Sequence, residues 1–382
     1  RSASPPDYRR TGRQRLHGLL RLAVAALIPT LLSLGAAGQA AAPPRHFASP
    51  EAELDAGIAL TRQGKYRQAI PLLRDARPKV QDVFSAGFDL ALCYTAVGEN
   101  QQALTLLDQL PAAPTLAKRA DVDNLRAQVA IGLGDTAAAA DAFSRAAALE
   151  PRHLPLYLFL ADACVQHHEY PLGLRVVNAG LAQLPDSARL HYERAVLEED
   201  SNQPRRAARD WRAAATLGAG KAIGYMAGAQ AAVAAARFPA ALATARAGLA
   251  RHPNSVLLLT IFGQAALRSG ARPGQPLFGA AGRRLRHAVA LQPGNAAAQL
   301  ALGWWEMTAG RMAAALRHLN AARAAAPNDP AVYARLAAAY QRMGMQPQAA
   351  AARARLAALN RAQAASYRAP AATHAGYEAG PH

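Results

Sequence analysis

Small, apolar and turn-forming positions recur along this chain with a period of 34 residues, nine times between Pro50 and about Gln363. The spacing predicts two short helices per repeat. Counting from the first helical residue, the eighth position reads Gly57, Ala91, Ala127, Ala161, Ala195, Ala229, Gly263, Gly303 and Ala337. The twentieth reads Ala69, Ala103, Ala139, Gly173, Ala207, Ala241, Ala281, Ala315 and Ala349. Residues this small let the second helix approach the first to an interaxial distance of about 8 to 10 Å. The twenty-seventh position is Ala or Gly in seven repeats and Leu in two, Leu110 and Leu356.

Turn chemistry falls in the same register. The fifteenth position, where the first helix must stop, holds Gly64, Gly98, Gly134, Gly270, Gly310 and Gly344, with Asn202 in a seventh repeat. Gly and Asn reach the left-handed region most cheaply and so suit a helix C-terminus. Pro151, Pro185, Pro253, Pro293 and Pro327 close five repeats, where a missing N–H suits entry to the next helix. Self-similarity of this period implies stacked helix-turn-helix units, none of which buries its own apolar face alone. The fold class expected is all-α, a solenoid of about nine repeats in one continuous body.

This arrangement resembles the tetratricopeptide repeat family, with Tyr94 and Tyr340 at the aromatic position of the first helix and Phe143 and Trp211 at that of the second. The resemblance implies a right-handed superhelix with units at about 50–83, 84–117, 120–153, 154–187, 188–221, 222–255, 256–295, 296–329 and 330–363. Two residues are extra before Ala120, which suggests an irregular step. Six are extra between Gly270 and Ala281, so that turn is expected to protrude, with Phe278 folding back over its own helix pair. The resemblance further implies a non-enzymatic binding scaffold whose first helices line a concave groove. Its groove positions fall on Asn124, Gln128, Asp162, Gln166, Tyr192, Gln230, Gln264, Arg268, Trp304 and Met307. Amide side chains can hold both polar groups of an extended peptide backbone, and Tyr192, Trp304 and Met307 offer apolar anchors. Arg311, at a turn, is expected to matter little for binding.

The first 40 residues lack the repeat. Arg9, Arg10, Arg13 and Arg15 precede a mostly apolar stretch from Leu19 to Leu34 and then small residues, which is the order of an export signal, with cleavage expected before Ala41. Arg21 and Pro29 interrupt the apolar stretch, which falls short of the roughly 20 residues that span a bilayer; an uncleaved anchor at 19–34 is the alternative. Residues 41–49 read as a linker and 364–382 as a disordered tail.

The formal charge of +18 rests on 43 basic against 25 acidic residues. The basic residues read as scattered over all units without a run interleaved with aromatics, which argues against nucleic acid and leaves weak contact with anionic envelope polymer. Cys93 and Cys164 lie on first helices two units apart, too far for a disulfide. No phosphate loop, nucleophile elbow or metal motif occurs, and His167, His168 and Glu169 are consecutive turn residues that do not converge on one ion. No catalytic, cofactor or metal site is expected. The partner expected is a protein or extended peptide in the bacterial cell envelope. The alternatives are an accessory subunit of a polysaccharide-export or biofilm apparatus, and a cytoplasmic co-chaperone.

Overall fold

The computed structural model describes residues 47–113 and 115–368, and within them the chain forms eighteen helices and no strand. The first helices of successive units are α1 (Pro50–Arg62), α3 (Val83–Ala96), α5 (Leu116–Leu133), α7 (Leu154–His167), α9 (Ala188–Asp200), α11 (Ala222–Ala234), α13 (Val256–Arg268), α15 (Ala296–Thr308) and α17 (Pro330–Arg342). The second helices are α2 (Tyr66–Ala76), α4 (Asn100–Asp108), α6 (Thr136–Leu149), α8 (Tyr170–Gln183), α10 (Pro204–Leu217), α12 (Phe238–Arg251), α14 (Pro276–Leu291), α16 (Met312–Ala325) and α18 (Gln346–Arg368). The fold is the all-α solenoid that the periodicity implies. The expected export segment, 1–40, lies outside the described residues. The last helix runs to Arg368, five residues into the segment expected to lack order, because its Ala-rich sequence continues to favour helix.

Each helix packs on its partner and on the next unit. First helices of adjoining units touch at all eight steps, whereas second helices spread apart, with a small contact only between α6 and α8. The first helices therefore form the inner, concave layer and the second helices the outer one. Small residues set the spacing within a unit. A Cβ added to Gly57, Gly263 or Gly303 would meet Leu73, Leu285 or Leu319 at 2.6, 2.5 and 2.8 Å.

The first helix of every unit ends on a left-handed residue. Gly64, Gly98, Gly134, Gly270, Gly310 and Gly344 take φ between 71° and 91°, and Asn202 takes 56°. The remaining two are His168 at 63° and Ala236 at 55°, neither of them the Gly or Asn that stands at the other seven turns. The stacking imposes this turn even where a Cβ opposes it. Entry to the first helices is fixed by side-chain caps, with Ser49, Asp82, Thr115, Ser187, Ser255, Asn295 and Asp329 each accepting from a backbone N–H of the first turn. A cap of this kind contributes about 1 kcal/mol.

The first irregular region is absorbed as helix and the second only in part, its turn having seven residues where 309–311 has three. Helix α5 starts at Leu116, ahead of the repeat boundary, and Arg126 ties it to α4 through the Leu107 carbonyl at 2.6 Å. In the seventh unit the inter-helix segment is Ser269 to Gln275, and α14 takes up the remaining length from Pro276. Phe278 is buried, as expected, in a cluster that holds residues of its own helix pair, and the next unit adds to its cover. The Trp305 indole stacks on its ring at a centroid distance of 5.0 Å and donates to its carbonyl at 2.9 Å. A Cβ on Gly282 would lie 2.2 Å from that indole. Cys93 and Cys164 are free and buried, and burial pushes the Cys93 thiol up to about 11.

A left-handed L-residue costs roughly 1 to 2 kcal/mol, of which part is returned by the greater unfolded-state freedom of glycine. Ala236→Gly is therefore expected to raise the urea midpoint, by about 0.5 to 1 kcal/mol, and Gly134→Ala to lower it by a similar amount. Equal midpoints for wild type and Ala236→Gly would contradict the strain at this turn.

Candidate binding groove

The inner layer brings the expected groove residues into one curved wall, though not all of them face open space. Asn124 and Gln230 are buried, and their side-chain carbonyl oxygens have no hydrogen-bond partner within the protein. Gln128 is half-buried and Gln166 exposed. Gln264 is 7% exposed and Met307 3%, so Met307 serves the C-terminal core and not an open surface. Tyr192 is fully buried, edge-on to Trp211 at 4.8 Å and 78°. It is a core aromatic and supplies no anchor, because the bulky Trp211 draws the ring between α9 and α10.

Trp304 and Arg268 are half-buried on the inner wall. The Arg335 guanidinium lies over the Trp304 ring at 4.0 Å, and Arg268 sits over Phe238 at 5.7 Å. Cation–π contacts of this kind contribute about 0.5 to 2 kcal/mol, more where water is excluded. Burial, with the like charges of Arg268 and Arg342, pushes Arg335 down to about 10, and burial also lowers Arg268. Arg342 donates to the Met307 carbonyl at 3.4 Å. Units seven to nine thus gather three guanidiniums around one half-buried indole. Arg335 stands at the sixth position of its unit, outside the expected groove positions, and only the curvature that brings it against Trp304 reveals it.

Carboxylates hold the middle of the wall. Burial raises Asp162 to about 6, although Gln166 donates to it at 2.7 Å and Arg189 lies near. Glu193 pairs with Arg189 at 2.6 Å, yet burial raises it to about 7. Glu199 accepts from the Trp211 indole at 3.0 Å and is raised, again by burial, to about 7. On the outer side of α9, Glu198 borders a cleft of about 530 Å³ with His191, Arg194 and Asp210. There Arg194 grips Asp210 at 2.7 and 2.9 Å, and burial beside Asp210 raises Glu198 to about 7.

Arg311, expected to matter little for binding, has partners within the fold. It pairs with the buried Glu306 and lies over the Trp305 ring at 4.5 Å. Among the described residues no group of three His, Cys, Asp or Glu side chains is arranged to hold a metal ion, and no helix is long and apolar enough to cross a membrane.

Fold and groove together define a helical-repeat protein with an inner recognition wall. Two models of tetratricopeptide repeats match parts of the chain, one at residues 54–117 and 277–330 and the other at 130–197. Repeats of this kind generally bind proteins or peptides and are typically non-catalytic. Among solved structures, the human IFIT1 dimer with m7Gppp-AAAA is similar at 14% identity over 82% of this chain and 77% of that one, with a TM-score of 0.50. The APC/C hetero-tetramer Cut9–Hcn1 is similar at 14% identity over 84% of each chain, with a TM-score of 0.40. The MamA protein is similar at 16% identity over 44% of this chain and 91% of that one, with a TM-score of 0.34. These likenesses concern the fold alone. No curated protein matches the sequence.

The raised carboxylates make stability depend on pH. A carboxyl whose folded pKa exceeds its unfolded value binds more protons when folded, so it favours the fold at low pH and loses that contribution as pH rises through the folded value. For Glu193 and Glu199 the window runs from the ordinary glutamate range up to about 7. Between pH 5 and pH 7.5 the melting temperature is expected to fall, and Glu199→Gln, which keeps an acceptor for Trp211, should flatten that fall. A steeper decline in the variant would overturn this assignment.

Proposed function

We propose that this protein is a non-enzymatic scaffold that holds a protein segment or extended peptide in its concave groove, exported to the cell envelope of a bacterium. The observation that carries the groove assignment is the Trp304–Arg335 stack with Arg268 and Arg342 beside it. Its three guanidiniums can pair with carboxylates or backbone carbonyls of a bound segment, and the indole can bury an apolar side chain.

Envelope extract passed over wild type, Trp304→Ala and Lys79→Gln tests this reading. Loss of Trp304 is expected to weaken at least one retained partner by about 2 kcal/mol, while exposed Lys79 in the first unit matters little. Equal recovery of every partner by all three proteins would remove Trp304 from the site.

The export reading rests on the basic, apolar and small order of residues 1–40. N-terminal sequencing of the envelope-fraction protein is expected to begin near Ala41. Recovery of Arg9 intact would overturn cleavage.

A further inference from the structure

The charge of this array is divided between its two halves. Between residues 47 and 200 there are 20 acidic and 14 basic residues; between 201 and 362 there are three acidic and 21 basic. The scatter of cations over all units expected from the sequence does not hold, since 84–117 carries none, and the carboxylates divide more sharply still. The three in the second half, Asp210, Glu306 and Asp329, are only 5 to 6% exposed. Asp210 is held by Arg194 and His191, Glu306 by Arg311, and Asp329 caps α17. The side-chain surface of units five to nine over these residues therefore carries no exposed carboxylate.

The cations also divide by layer. Of the 21, fourteen lie on the second helices α10, α12, α14, α16 and α18, and three on the first helices α11, α13, α15 and α17. Arg212, Arg246, Arg283, Arg317, Arg323 and Arg353 are all exposed on this outer layer. Arg284, between Arg246 and Arg283, is lowered by burial and by both neighbours' charges, as expected where cations crowd without an opposing group. Leu217 and Leu291, 38 and 39% exposed, end two of the same helices. Among the described residues of this half no aromatic side chain is exposed.

We infer that the outer face of units five to nine takes a flexible acidic polypeptide segment, its carboxylates lying across the arginines of successive second helices and its apolar side chains on Leu217 and Leu291. Guanidinium forks match planar oxyanions in bidentate pairs, which fits Asp and Glu side chains. Single-stranded nucleic acid binds through stacking platforms that this face does not expose. Duplex DNA, stiff over about 50 nm, touches a convex arc along only a short stretch, as does a flat membrane. A polysaccharide lacks side chains for the exposed leucines. An unfolded acidic chain can follow the curve and use both groups.

The test uses the full chain with a labelled Glu/Leu copolymer and reads binding by fluorescence anisotropy. The variant R246Q/R283Q/R317Q/R323Q is expected to weaken binding about tenfold or more, taking a few-fold per surface guanidinium. The equal-charge control R62Q/R67Q/R74Q/K79Q, in the acidic half, should lose less than threefold, by about the same reasoning. L217S/L291S should weaken the copolymer and leave a polyuronate unaffected. Loss of copolymer binding on Trp304→Ala with none on R246Q/R283Q/R317Q/R323Q would place the segment in the groove and overturn the outer-face proposal, so failure here and failure of the groove reading are separable. Equal loss in both charge variants would reduce the effect to net charge and overturn the proposal. So would displacement of the copolymer by polyuronate, an oligonucleotide or anionic vesicles as readily as by unlabelled copolymer, with the occupant then reassigned to that class.

Discussion

Where Gly57, Gly263 and Gly303 face Leu73, Leu285 and Leu319, a single added methyl would collide at 2.5 to 2.8 Å, and this contact governs how near the two helices of a unit lie. The rest of the array follows from it. Close pairing leaves the first helices narrow enough to touch their neighbours at every step while the second helices fan outward. Curvature, and with it a groove lined by first helices, comes from that difference in packing width. The left-handed turn at the end of each first helix serves the same geometry, since the chain must reverse within three residues to keep the pair in register.

Much of this was legible because small and turn residues occupy fixed places. Six glycines and Asn202 mark seven of the nine turns, and the small residues at the eighth and twentieth positions mark the helix contacts. His168 and Ala236 could not be found this way, because packing on both sides overrides what their own side chains prefer. The groove was legible only as a set of positions. Tyr192 reads as an anchor by register and is a core residue by contact, since Trp211 claims its ring. Arg335 shows the reverse: its register excludes it, and the turn of the superhelix delivers it onto Trp304. The charge division was present in the sequence throughout. The cations alone, 14 against 21, show it weakly; the carboxylates, 20 against three, show it sharply.

Electrostatics explains why the acidic and basic zones can share one wall. Glu193 and Glu199 are both raised by burial to about 7, so near neutrality each carries only part of a charge. Arg189 on the same helix and Arg268 on α13, two first helices away, offset what remains. The strongly buried carboxylates therefore cost less than full ionisation would imply.

The Trp305 indole is seated against Gly282 and Phe278 of the preceding unit, and this gives the repeats a fixed order. Ala339 stands at the same tenth position of the last unit as Trp305 does of its own. Were the eighth unit lost by recombination, joining the seventh to the ninth would place a methyl where an indole belongs and leave Phe278 uncovered. Unequal crossing-over can lengthen or shorten an array of interchangeable repeats, but at this junction the neighbours are lock and key, and the array can be inherited only with both.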